Sequence, residues 1–199
     1  MSRRAAAQAL VRTAAGGAAL WLSLTRPRRA LAAAGPDGGL ARELREGGCL
    51  LLIRHANTEP GLGDPAGFRL DDCRTQRNLS QDGRRQAQAL GGALRRAGVP
   101  IGPVRSSRWC RCLDTARLAF GRVEPWPVLD SFFSDREAEP ARTRELRDWA
   151  LAFRGPGNAA LVTHQVNITA LVGPVPAMGE VIALRSVDGQ LRTIGRFAS

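Results

Sequence analysis

Cys49-Leu50-Leu51-Leu52-Ile53-Arg54-His55 is the stretch on which the reading of this chain turns. An uninterrupted apolar run entered through Gly47-Gly48 suits a short strand buried on both faces, the condition of a parallel strand covered by helices. It delivers Arg54 and His55 at its carboxyl end. The chain has one other histidine, and its setting is the same: Ala159-Ala160-Leu161-Val162-Thr163 is a second buried run, and His164 follows it directly. A third short strand around Pro103 to Arg105 leads through Ser106-Ser107 into a helix over about Cys110 to Phe120, with Arg111 in its first turn.

The remaining segments continue the alternation. Residues 56–78, rich in Gly, Pro and Asp, read as loop. Leu79-Ser80-Gln81-Asp82-Gly83 opens a helix with Ser80 as N-cap, apolar positions at Ala87, Leu90, Ala93, Leu94 and Ala97, and Gly98 as its stop. Val128-Leu129 reads as a weak strand. Residues 138–153 read as a helix with Leu146, Trp149, Ala150 and Phe153 on one face, and a further helix runs from about Val166 to Leu171. Val181 to Leu184 and Leu191 to Phe197, joined through Asp188-Gly189, form a terminal hairpin. This order predicts a three-layer α/β/α sandwich with a mostly parallel sheet. Ligands bind such sheets at the carboxyl ends of the strands, so Arg54, His55, Arg111 and His164 converge on one crevice. One isolated histidine there would be read as a strand cap bonded to backbone; two histidines with two arginines make a site.

Composition narrows the chemistry. The 199 residues carry Lys+Arg 29 against Asp+Glu 18, a net charge of +11. There is no lysine, which excludes a Schiff base and a lysine-bearing phosphate loop. Two histidines and no Cys-x2-Cys pair supply neither a His-rich nor a zinc site, so no metal and no cofactor are expected. No run of Lys/Arg with interleaved aromatics suggests nucleic-acid binding. No apolar run approaches the roughly 20 residues of a membrane span. Residues 1–34 hold six arginines and no acid, with 13 uncharged residues from Thr13 to Thr25 followed by Ala30-Leu31-Ala32 and Ala32-Ala33-Ala34. This reads as an export signal, and Ser2-Arg3-Arg4 gives it twin-arginine character. The protein is therefore expected in the periplasm or outside the cell, with residues 35–199 as a single domain. Of Cys49, Cys73, Cys110 and Cys112, the first sits in the strand pattern and reads as a buried free thiol. Cys110 and Cys112 point to different sides of their helix.

Four blocks in order carry a resemblance: Arg54-His55-Ala56-Asn57-Thr58, Leu79-Ser80-x-x-Gly83-x-x-Gln86-Ala87, Ser106-Ser107-x-x-x-Arg111-x-x-x-Thr115-Ala116, and Val162-Thr163-His164. Together they resemble the histidine phosphatase superfamily, with its phosphoglycerate mutase-like fold. The resemblance implies that His55 is a nucleophile forming a phosphohistidine, that Arg54 and Arg111 grip the phosphoryl oxygens, and that His164 is a second donor to them. It implies a metal-independent phosphatase acting on a small phosphorylated substrate, such as a phosphosugar or an envelope phosphate. The sequence departs from the family pattern at Ala56, where Gly is usual, and at the general acid. Asp130 is the nearest carboxylate to that position and is the proton-donor candidate, with Glu59, Asp64 and Asp135 as rivals. With no acid in place, the leaving group would have to be a good one, as in phosphoramidates, acyl phosphates or aryl phosphates. Arg69, Arg74, Arg77 and Asn78 could extend the anionic pocket. In such a fold Cys73 and Cys110 would meet beside the crevice as a disulfide, with Cys112 as competitor. The alternative reading is a non-catalytic phosphate- or phosphoprotein-binding module on the same scaffold.

Overall fold

Alternation within single strands sets the layers. In β1 (Leu50–Arg54), Leu51 and Ile53 face one core while Leu50 and Leu52 face another. The computed structural model describes residues 35–198. The expected export segment, residues 1–34, lies outside the described residues. One side of the sheet is covered by α1 (Gly38–Glu46), α2 (Gln81–Arg96) and α3 (Cys110–Phe120), which contribute Leu40, Leu44, Leu90, Leu94, Cys112 and Ala116 to the first core. The other side is covered by α4 (Glu139–Ala152) and α5 (Gln165–Val172), which contribute Leu146, Ala150, Ile168 and Leu171 to the second. A continuous apolar strand is the sequence signature of this double burial.

The sheet has six strands. Besides β1 they are β2 (Ile101–Ser106), β3 (Glu124–Pro125), β4 (Asn158–Thr163), β5 (Val181–Val187) and β6 (Gln190–Phe197), and the order is β3-β2-β4-β1-β5-β6. β1, β2, β3 and β4 run parallel, while β5 and β6 form an antiparallel hairpin against β1. Asp188 and Gly189 turn that hairpin at φ 51° and 71°, the left-handed geometry a two-residue hairpin loop requires. The three-layer α/β/α sandwich expected from the sequence is present, with four of its strands parallel.

Two local expectations need correcting. Val128-Leu129 is not a strand: Pro127 opens a 3-10 turn, Pro127–Leu129, and the short edge strand is Glu124–Pro125. The turn bonds Leu129 N to Trp126 O and Asp130 N to Pro127 O, and it buries Val128 and Leu129 beneath α4. Helix α1 was not anticipated. Asp37 caps it, accepting from Leu40 N at 2.8 Å, and its buried face is only Leu40, Ala41 and Leu44.

Candidate active site

Register brings the histidines together. Arg54 on β1 lies opposite Thr163 on β4, so the next residue of each strand, His55 and His164, leaves the sheet at the same edge. The ladder extends past the strands: His55 N donates to Thr163 O at 3.0 Å, and Ser107 N donates to Val162 O at 2.9 Å. The two rings stand 5.6 Å apart, edge to face, both nearly fully buried. Arg54, His55, Arg111, His164 and Asp130 line one cavity of about 630 Å³, as do Asp64 and Asp135. Glu59 does not line it.

The neighbours of His55 fix its tautomer and keep its ring neutral. Its Nδ1 lies 3.0 Å from Ala56 O. A carbonyl can only accept, so Nδ1 carries the proton and Nε2 keeps its lone pair. Burial, helped by the charges of Arg111, Arg54 and Arg77, pushes the imidazole pKa down to about 3 and keeps the ring neutral. The turn after His55 is held from three sides. Thr115 Oγ1 accepts from Ala56 N (3.0 Å), Gln86 Oε1 accepts from Asn57 N (2.9 Å), and Gly83 packs so closely that a Cβ there would lie 1.8 Å from Asn57 O. Ala56 itself needs no glycine conformation, since among the described residues Asp188 is the one non-glycine with positive φ.

Three arginines lining the cavity share one arrangement. Arg54 spends Nη1 on Pro176 O (2.8 Å), and Arg77 spends Nη1 on Gly61 O. Arg111 spends Nη1 and Nη2 on the Asp64 carboxylate (2.7 and 3.1 Å). In all three, Nε is buried with no hydrogen-bond partner. Each has a terminal nitrogen anchored to protein and an N–H left over at Nε. Arg105 and Arg185 also have an unpartnered Nε away from the cavity, so it is the lining position of these three that suits them to an anion.

Residues 50–136 match the histidine phosphatase superfamily (branch 1). The stretch that carries Arg54, His55 and Arg111 is thus similar to that superfamily. Among solved structures, the chain is similar to the Rv3214 protein of Mycobacterium tuberculosis, with 19% identity and a TM-score of 0.57, over 76% of this chain and 97% of that one. It is also similar to the protein histidine phosphatase SixA complexed with tungstate, with 13% identity and a TM-score of 0.55, over 75% and 96% of the two chains. TTHB049 from Thermus thermophilus matches at 22% identity and a TM-score of 0.52, over 76% and 99%. At these identities the likeness is one of fold. No curated protein matches the sequence.

Two of the carboxylates that line the cavity, Asp130 and Asp64, are engaged. Asp130, the proton-donor candidate, accepts at Oδ1 from Arg108 N (2.8 Å) and Ser107 Oγ (3.3 Å), and at Oδ2 from Arg108 Nε (2.7 Å) and Nη2 (2.6 Å). To donate a proton it would have to give up part of that fork. For Asp64, burial works to raise the pKa, but hydrogen bonds and charge from Arg111, with Arg77 N and Trp109 Nε1, hold it below the usual range. That is the wrong direction for a general acid. His164 Nε2 sits 2.8 Å from Ser107 Oγ and 3.5 Å from Cys112 Sγ, which leaves Nδ1 as its nitrogen for a ligand. Burial and the nearby cations hold this imidazole well below its ordinary value as well. Ser107 has one proton for two acceptors, Asp130 and His164 Nε2, so the His164 tautomer and the Asp130 contact are linked.

Sequence reasoning missed Arg108, Trp109 and Arg142, which also line the cavity. Arg108 and Trp109 occupy positions that the Ser106–Arg111 motif leaves unspecified; their place just past a strand end was the available signal. Of the loop residues expected to extend the pocket, Arg77 lines it and the others do not. Arg69 and Arg74 are exposed and paired with Asp71 and Asp72, and Asn78 Nδ2 is bonded to Cys73 O. The structure joins Cys73 to Cys110, with Cα atoms 5.7 Å apart, and leaves Cys49 and Cys112 buried and free. Among the described residues no cluster of His, Cys, Asp and Glu is placed to hold a metal ion.

Proposed function

We propose that this chain is a phosphatase in which His55 Nε2 attacks phosphorus in line, forms a phosphohistidine, and is released by water. The observation that carries the reading is the neutral, Nδ1-protonated His55 on a cavity lined by three arginines, each with an unpartnered Nε. The N–P bond forms as the bond to the leaving group breaks. Hydrolysis then returns phosphate and the free imidazole. Fixed positive charge stabilises the phosphoryl group throughout, with no step that requires a metal.

Asp130 is tied to Arg108, so leaving-group protonation is the weak part of the machinery. The substrates favoured are those whose leaving group departs readily: phosphoramidates, acyl phosphates and aryl phosphates. The similar fold of a protein histidine phosphatase is in keeping with a phosphoramidate. A cavity of about 630 Å³, with exposed Leu62 and Phe133 at its edge, leaves room for a substrate body beyond the phosphoryl group. The test is phosphate release across a series of leaving groups of graded pKa, with and without a chelator. Turnover should rise steeply as the leaving group becomes more acidic and should ignore the chelator. No turnover of even the most activated member would leave a phosphate-binding module.

The site also bears on location. A disulfide against the loop that walls the cavity belongs to an oxidising compartment, which supports the export reading of residues 1–34.

A further inference from the structure

We propose that Arg77 is a third phosphoryl-binding arginine, and that Asp64 is the positioning residue that holds Arg77 and Arg111 together at the site. The chemistry rests on the phosphatase reading above; the anion site does not.

One carboxylate organises both cations. Asp64 Oδ1 accepts from Arg111 Nη1 (2.7 Å) and from the backbone N of Arg77 (3.0 Å). Its Oδ2 accepts from Arg111 Nη2 (3.1 Å) and Trp109 Nε1 (2.9 Å). Four donors fill the acceptor capacity of a carboxylate, so Asp64 has nothing left for a substrate or a proton. Its contacts turn the end of the Arg111 guanidinium away from any ligand and leave the Nε edge. Arg77 O in turn lies 3.4 Å from Arg111 Nη1, closing the unit. The Arg77 side chain is pinned at Nη1 by Gly61 O and presents the same orphaned, buried Nε as Arg54 and Arg111.

Charge favours the same assignment: the cavity lining holds more arginines than carboxylates, Arg77 among them, so it is cationic and suited to a phosphate anion. Burial and the neighbouring Arg111 push Arg77 below its ordinary pKa, the response of a cation short of counter-charge. Arg74 is paired with Asp72 at 3.0 Å and largely solvated, and so serves as the control.

The test uses the full chain, with inorganic phosphate binding by calorimetry and kcat/KM on 4-nitrophenyl phosphate. Arg77→Ala should weaken phosphate binding at least about tenfold and lower kcat/KM about 100-fold, with an unchanged Tm. Arg77→Lys should recover little, because an ammonium cannot place an N–H where Nε stands. Asp64→Asn should lower kcat/KM in the wild-type background but have little further effect on Arg77→Ala, the non-additivity of one unit. Arg74→Ala should match wild type in both assays. Unchanged phosphate affinity in Arg77→Ala and Arg77→Lys, or no phosphate binding by the wild type, would overturn the proposal. If phosphate binds in an Arg77-dependent way and no substrate turns over, the three-arginine site stands and the phosphatase reading falls.

Discussion

His55 and His164 are buried beside three arginines, and both are held neutral where free histidine would be half protonated near pH 6.5. The fold therefore refuses protons that the unfolded chain accepts. Below about pH 6.5 the unfolded state binds more protons, so stability falls with pH, down to about pH 3 for His55 and further for His164. Each fully titrating imidazole contributes about 1.4 kcal/mol per pH unit. Urea unfolding at pH 7, 6 and 5 should show this slope, and His164→Gln should roughly halve it. An unchanged slope in the variant would mean that His164 is not buried neutral. Asp64 has the opposite sign: its depressed pKa contributes stability above the unfolded value near 3.9, lost only as pH falls through the lower folded value. On activity, His55→Ala should abolish phosphate release, and rapid quenching of the wild type should trap an acid-labile, base-stable phosphoramidate on His55. Near-native turnover in His55→Ala would sink the mechanism. The histidines themselves were readable from sequence because each directly follows a buried strand.

Helix α2 reaches the site without supplying a cavity-lining side chain. Its Gly83 faces Asn57 O and its Gly91 faces Ala119 O of α3, where a Cβ would lie 1.8 and 1.9 Å from the respective carbonyl oxygens. Both obstacles are backbone, so an added methyl must move an element. We expect Gly91→Ala and Gly83→Ala each to cost about 1–3 kcal/mol. Only Gly83→Ala should also depress kcat strongly, since it displaces the turn that holds His55; equal kcat losses in the two would contradict this division. The wall loop is secured on the opposite side by the Cys73–Cys110 bridge and by Gln76 Oε1, which accepts from Cys110 N at 2.9 Å. Cys73→Ser should cost roughly 2–4 kcal/mol in denaturant unfolding, while peptide mapping that recovered four free thiols would remove the bridge from consideration. Element boundaries of this kind were legible where a cap or a breaker marks them: Ser80 accepts from Gly83 N at 3.1 Å, as its position predicted. The 127–129 turn was not, because Val128 and Leu129 satisfy a strand pattern and a buried 3-10 turn equally well until α4 is packed over them.

At the scale of the molecule, a sheet with two cores puts the carboxyl ends of its four parallel strands at one edge, where the cavity lies. Mass spectrometry of protein from the native host should find a mature terminus between about Ala33 and Asp37, which would retain the Asp37 cap of α1; an intact Met1 or Ser2 terminus on cytoplasmic protein would end the export proposal. The layer order, every strand but the short edge strand, and the edge at which His55, His164, Arg54 and Arg111 gather were determined by the sequence itself, through burial patterns and spacing that operate over a few residues. Tertiary structure decided how those groups are employed. Arg54 is anchored by Pro176, 122 positions away, Arg111 by Asp64, 47 positions away, and Asp130 is claimed by Arg108, 22 positions away. These pairings turned an expected acid rival into an arginine anchor, tied the expected proton donor to a guanidinium, and committed the far end of the Arg111 fork to protein. Local patterning carries no information about them, because a side chain's partner across a loop is fixed only when the layers have packed and each buried donor has taken the acceptor within reach.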